Sequence, residues 1–160
     1  MGQEIERRFI VNALPPEIIA NQPCSEIRQG YVAADPGKEL RARDKNRRYF
    51  LTRKRGTGLV REEHEIEVGL DVFEMIWPLT EGRRVEKTRY HVEQAGLTME
   101  IDIYHGDLNG RMSLEVEFPD PQAANAYQPP AWAGQEVTED SRYNNAQLAL
   151  NGWPEDEPAT

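Results

Sequence analysis

Apolar and polar residues alternate with period two along much of this chain, which is the pattern of half-buried strands. In 4–11, Glu4, Glu6 and Arg8 share one parity, while Ile5, Arg7, Phe9 and Val11 share the other. In 39–43, Glu39, Arg41 and Arg43 oppose Leu40 and Ala42. Residues 48–54 are aromatic-rich and predict a strand ending at Lys54, with a turn at Arg55-Gly56-Thr57-Gly58. In 61–68, Glu63 and Glu65 oppose Ile66 and Val68; in 86–93, Lys87 and Arg89 oppose Tyr90 and Val92. In 97–103, Glu100 and Asp102 oppose Met99, Ile101 and Ile103; in 112–118, Glu115 and Glu117 oppose Leu114, Val116 and Phe118. Short helices are predicted at 15–20, at 71–77 with Asp71 as cap and Pro78 as stop, at 121–127 and at 140–150. The pattern predicts one α+β domain, mainly β, over 1–151, with antiparallel strands and a few covering helices. An acidic, Pro-bearing tail at 152–160 is expected to be flexible.

A chain of 160 residues is long enough for one real core. Its net charge of −9 argues against bulk binding of nucleic acid or anionic membrane, though not against a local basic pocket. No apolar run is long enough to span a bilayer, and the first residues lack a signal-peptide pattern. Cys24 is the sole cysteine, so no internal disulfide forms, and the expected compartment is the cytoplasm. His64, His91 and His105 are isolated from one another and from Cys24, so no Cys/His metal site can be drawn.

In an ordinary sheet the charged faces meet water. Same-sign doublets occur here at a frequency near chance, but their arrangement carries information. Glu4/Glu6, Arg41/Arg43, Glu63/Glu65, Lys87/Arg89, Glu100/Asp102 and Glu115/Glu117 each lie inside one predicted strand, with one sign per strand. Neighbouring like charges repel, so such rows are favourable where an opposite charge sits between them. Basic rows suit a polyanion, and clustered carboxylates suit a hard divalent cation. Both together suit a metal–polyphosphate complex. Alternation alone leaves the solvated sheet and the inward-facing site both open.

Beginning at "EIERRF" (4–9), the chain resembles the CYTH family, the triphosphate tunnel metalloenzymes, whose opening signature is E-x-E-x-K. "IRQGYV" (27–32), "LRAR" (40–43), "YFLTRK" (49–54) and "REEHEIEV" (61–68) are similar to the family's following segments, in order. "VEKTRY" (85–90), "MEIDIYHGDLNG" (99–110), "LEVEF" (114–118) and "GQEVTEDSRYNNAQLA" (134–149) continue the likeness over residues 3–150, closest to the short bacterial members. The resemblance implies a closed antiparallel tunnel barrel of eight strands with its charged parity inward. It implies that Arg8, Arg41, Arg43, Lys54, Lys87 and Arg89 grip a triphosphate. It implies that Glu4, Glu6, Glu100, Asp102, Glu115 and Glu117 hold Mg²⁺ or Mn²⁺. Glu63 and Glu65 would position water or assist a second metal, and Tyr31 matches a tyrosine beside the catalytic lysine. Glu39, Arg61 and Glu67 lie near predicted strand ends and are expected to be solvated. Arg7, Arg47, Arg48 and Arg53 are expected on outward or loop positions.

The implied activity is metal-dependent hydrolysis of a triphosphate-bearing small molecule, inorganic tripolyphosphate first. Adenylyl cyclase, thiamine triphosphatase and a non-catalytic polyphosphate-binding barrel are the alternatives, and a homodimer is left open. Two positions depart from the family: Arg8 stands where the motif has lysine, and Gln135 where a lysine is common. Guanidinium binds phosphate but does not deprotonate near neutral pH. Arg8→Lys tests that difference: a large rise in phosphate release per enzyme would mark the arginine as limiting the chemistry.

Overall fold

The computed structural model describes residues 2–35, 37–56 and 60–155. The alternating segments form eight strands: β1 (Gly2–Ile10), β2 (Cys24–Asp35), β3 (Lys38–Lys45), β4 (Arg48–Arg55), β5 (Val60–Val68), β6 (Arg84–Gln94), β7 (Leu97–His105) and β8 (Met112–Glu117). They close into an antiparallel barrel in the order β1-β5-β4-β3-β2-β6-β7-β8, as the resemblance implied.

The barrel is polar inside and apolar outside. Phe9, Met99, Ile101, Leu114 and Val116 alternate with inward-pointing charges and are buried on the outer wall. Two short helices, α1 (Pro16–Ile19) and α3 (Pro121–Ala126), belong to the cover over that wall, bringing Ile18, Ile19 and Ala124 against it. The period-two pattern therefore arises as in any half-buried strand, with the core lying between the sheet and its covering segments. On β5 the outer face stays open, and Ile66 is half exposed. No helix among the described residues is long and apolar enough to cross a membrane.

Helix α2 (Leu70–Ile76) continues into a 3-10 turn, Trp77–Thr80, that runs through Pro78. Gly69, not Asp71, occupies the cap position, and Asp71 sits in the first turn. Phe73 packs between Tyr49 and Trp77, with ring centroids 4.8 and 5.0 Å away. Thr80 lies against β2 so closely that a Cβ on Gly30 would stand 2.4 Å from its Oγ1, which is why glycine is needed there. Helix α4 (Asn145–Asn151) plugs one end of the barrel, its Leu148 meeting Val85, Tyr104 and Leu108. The stretch predicted as one helix over 140–150 is broken into a 3-10 turn, Ser141–Tyr143, and α4. The break occurs because Asn144 turns extended and accepts a hydrogen bond from the Gln147 amide at 2.8 Å, a local cap that ends one helix and starts the next. Trp153, just beyond α4, packs edge-on against Tyr143 and Tyr104. Residues 156–160 of the predicted tail, and Thr57 and Gly58 of the predicted turn, lie outside the described residues.

Leu114 is fully buried on the outer wall between Phe9 and Ile101, its partners on the neighbouring strands. Leu114→Ala should cost about 2–5 kcal/mol in urea unfolding, because the rigid sheet cannot collapse into the void.

Candidate active site

Alternate residues of the strands point into the barrel and enclose a cavity of about 140 Å³. Glu4 and Arg8 reach it from β1, Arg41 and Arg43 from β3, and Lys54 from β4. Glu63 and Glu65 come from β5, Arg89 from β6, Glu100 from β7, and Glu115 and Glu117 from β8. Asn145 of α4 completes the wall. Glu6 instead lines an adjoining chamber of about 250 Å³ beside the plug, which shares Arg8 and Lys54 with the first. Tyr31, Lys87 and Asp102 are buried in the barrel wall, away from the cavity lining.

Part of the charge is closely paired. Asp102 accepts from Lys87 Nζ at 2.8 Å and from Arg89 Nε and Nη2 at 2.7 and 2.9 Å. Asn145 Oδ1 accepts from Lys87 at 3.3 Å and from the Tyr104 hydroxyl at 2.7 Å. Arg8 donates to Glu115 at 2.8 Å and to the Tyr143 carbonyl at 2.9 Å, tying β1 to the closing segment. Burial alone would raise the Asp102 and Glu115 carboxyls; the facing cations overcome it and hold both well below the usual range. Burial pushes Lys87 down, and the nearby Arg89 adds to that.

Elsewhere the pairing is looser. Arg41 lies 3.5 Å from Glu65 and 3.8 Å from Glu63, and its Nε has no partner. Lys54 lies 3.4 Å from Glu4. Arg43 forms no ion pair among the described residues, and burial, with Arg41 and Arg89 nearby, pushes its guanidinium down to about 9. Across from these cations, Glu4, Glu6 and Glu117 bring one carboxylate oxygen each within 4.8 Å of the others. Glu4 Oε2 is buried without a hydrogen-bond partner. Burial raises Glu117, helped by Glu100 and Glu4. Burial and the facing Glu4 raise Glu63 to about 7.

Five residues at the site were not legible as such. Arg61, expected to be solvated, pairs with Glu6 and lines the second chamber with Glu39. Their place near a strand end hid them, because the plug extends the enclosed volume past the sheet. Lys45 follows Arg43 on the same parity and is pushed down by burial and by Arg43. Gln29 and Asn145 carry no charge and so left no mark in the charge pattern. Arg7, in contrast, points outward as expected and pairs with Glu136 at 2.8 Å, and Glu67 pairs with Arg48 in solvent.

The raised Glu63 gives a measurable pH effect. Between the ordinary carboxyl value of 4.5 and about 7, native Glu63 keeps a proton that the unfolded chain has lost, so native stability falls as pH climbs through that window. Glu63→Gln should leave thermal stability at pH 4 unchanged and raise Tm at pH 8 by about 3–8 °C in chelator-treated protein. Asp102 and Glu115, both lowered, act oppositely: their stabilisation is complete above the ordinary carboxyl range and is lost as pH falls below it.

No protein-family model matches the chain. It is 47% identical over 150 residues to the inorganic triphosphatase of Nitrosomonas europaea, covering 92% of this chain and 97% of that protein. It is 37% identical over 155 residues to the inorganic triphosphatase of Acetivibrio thermocellus, covering 96% and 97%. The crystal structure of the inorganic triphosphatase NE1496 superimposes with a TM-score of 0.68 at 43% identity, over 98% of this chain and all of that one.

Proposed function

The chain belongs to the family of the inorganic triphosphatases, and we propose that it hydrolyses inorganic tripolyphosphate to pyrophosphate and phosphate with the help of Mg²⁺ or Mn²⁺. We read that family as the CYTH group that the sequence resembles, and the chain as a single cytoplasmic domain over 1–151. The observation that carries the reading is the uneven charge of the tunnel. Arg43 forms no ion pair among the described residues and Arg41 and Lys54 are paired only at 3.4–3.8 Å, while across the lumen Glu4, Glu6 and Glu117 crowd three carboxylates together. Neither arrangement is stable alone, and a metal–polyphosphate complex satisfies both.

Arg41, Arg43 and Lys54 would bind and orient the phosphate chain, with Arg8 and Arg89 behind them. Guanidinium forks suit pairs of phosphoryl oxygens, and Lys54 adds a point charge. Lys87 and Asp102, away from the cavity lining, hold Arg89 in place and are positioning residues. Glu4, Glu6 and Glu117 would hold the cation. They offer hard oxygen donors, and Glu4 Oε2, which accepts no hydrogen bond and has Lys54 at 3.4 Å, leaves room for such an ion. Asp102, Glu115 and Glu100 face arginine or lysine instead, at 2.7, 2.8 and 3.2 Å. When bound, the metal neutralises phosphoryl oxygens and so favours charge shifting onto the leaving pyrophosphate.

Glu63 is suited to take the proton of the attacking water. Its raised value lies near neutral pH, where a general base is most effective, and Glu65 stands on the same face. The water oxygen bonds to the terminal phosphorus as the bridging P–O bond breaks, the bridging oxygen leaves on pyrophosphate, and the proton passes to Glu63. Arg8 plays no part in that transfer. It holds Glu115 and adds positive charge beside the phosphates.

Phosphate release should be rapid from tripolyphosphate with added Mg²⁺ or Mn²⁺, slower from ATP and thiamine triphosphate, and absent in excess chelator. Undiminished hydrolysis in chelator would remove the metal from the mechanism. Cyclic AMP with pyrophosphate from ATP would replace the assigned reaction by a cyclase.

A further inference from the structure

The cavity-lining arginines are not all anchored in the same way. Arg8 is held by Glu115 and Arg89 by Asp102, both closer than 3 Å, and Arg41 leans on Glu65 and Glu63. Arg43 is held by Gln29: its Nε donates to Gln29 Oε1 at 2.9 Å. Gln29 Nε2 in turn donates to the Tyr31 hydroxyl at 2.8 Å. The orientation of the amide follows from chemistry, since a guanidinium Nε can only donate and must face the amide oxygen. Gln29 is fully buried and Tyr31 is 1% exposed, so packing fixes this relay. The register of β2 on β3 sets Gln29 directly opposite Arg43. Among the described residues, neither terminal nitrogen of Arg43 donates a hydrogen bond.

Resting on the triphosphatase reading, we propose that Gln29 is a positioning residue that holds Arg43 through an uncharged acceptor and so reserves its positive charge for the substrate's phosphoryl oxygens. A glutamate would fit the same space and accept the same hydrogen bond. It would also neutralise the guanidinium before substrate arrived, as Asp102 does for Arg89. An amide orients the fork without answering its charge. Burial disfavours that unanswered charge, as the lowering of Arg43 shows, and an incoming polyanion relieves it.

Steady-state hydrolysis of tripolyphosphate by Gln29→Glu, Gln29→Met, Arg43→Met and Gln29→Met/Arg43→Met tests this. Gln29→Glu should raise KM about tenfold or more while kcat stays within about threefold, the signature of lost uniform binding. Gln29→Met should raise KM by about three- to tenfold, and the double variant should match Arg43→Met within about twofold, because Gln29 acts through Arg43. Should a Gln29 variant fail to fold, Tyr31→Phe keeps the ring packing and reads the same relay, with KM raised by about two- to fivefold. Unchanged KM in Gln29→Glu or in Tyr31→Phe would overturn the relay, as would additive effects in the double variant or equal loss of kcat and Tm with KM intact. A wild type that hydrolyses tripolyphosphate while these variants keep its KM overturns the relay alone. A wild type that leaves tripolyphosphate intact overturns the triphosphatase reading and the relay with it.

Discussion

Asp102 receives an edge of the Arg89 guanidinium and the Lys87 ammonium at once, fully buried, and the inverted barrel is organised around that contact. A closed sheet with charges inside faces a severe desolvation cost, of several kcal/mol for each ion left unanswered. The triad answers three of them in one place. It joins β6 to β7, and Asn145 extends it into α4, so neutralising the wall also seats the plug. Such a pair adds little net stability over an apolar substitute, yet removing one member leaves a buried charge exposed to nothing. The constraint is therefore one of balance: once the interior is charged, its cations and carboxylates must be matched or left for a ligand.

The matching is uneven around the lumen. Arg8, Lys87 and Arg89 are paired with Glu115 and Asp102 at 2.7–2.8 Å. Arg41 and Lys54, on β3 and β4, are not: their contacts lengthen to 3.4–3.8 Å, and at Arg43 an amide replaces the carboxylate. The tightly paired side makes a neutralised wall, and the loosely paired side leaves positive charge facing the lumen. Glu4 and Glu117 show the same with the sign reversed: Glu4 Oε2 accepts no hydrogen bond, and Glu117 forms no ion pair among the described residues.

Much of this was legible because a strand shows its two faces in strict alternation. Glu4-Ile5-Glu6, Glu100-Ile101-Asp102 and Glu115-Val116-Glu117 each separate lumen from outer wall without ambiguity. Strand β2 was visible through resemblance alone, since Ser25, Ile27, Gln29 and Tyr31 mix polar and apolar residues on its inward face and erase the period-two contrast. The inward direction of the charges was likewise not in the alternation, which reads the same for a solvated sheet. Which cation pairs with which carboxylate depends on inter-strand register, and a single strand does not contain it. That is why Lys87 and Asp102 looked equivalent to the lining residues although they stand just behind Asn145 and Arg89, while Arg61 looked peripheral and lines the second chamber.

The position of Arg8 shows how the closing segment and the site are made interdependent. Its two terminal nitrogens serve different masters: one holds Glu115 in the wall, the other the Tyr143 carbonyl in the turn that leads into α4. Its backbone is fixed as well, because its amide donates to Thr138 Oγ1 and its carbonyl accepts from Val137. A lysine has a single nitrogen and no planar fork, so it cannot span those two acceptors in the same geometry. The arginine therefore makes chemical sense at a position where the motif has lysine. It exchanges a titratable group for a brace between β1, β8 and the plug, while across the lumen burial and the facing Glu4 raise Glu63 to about 7.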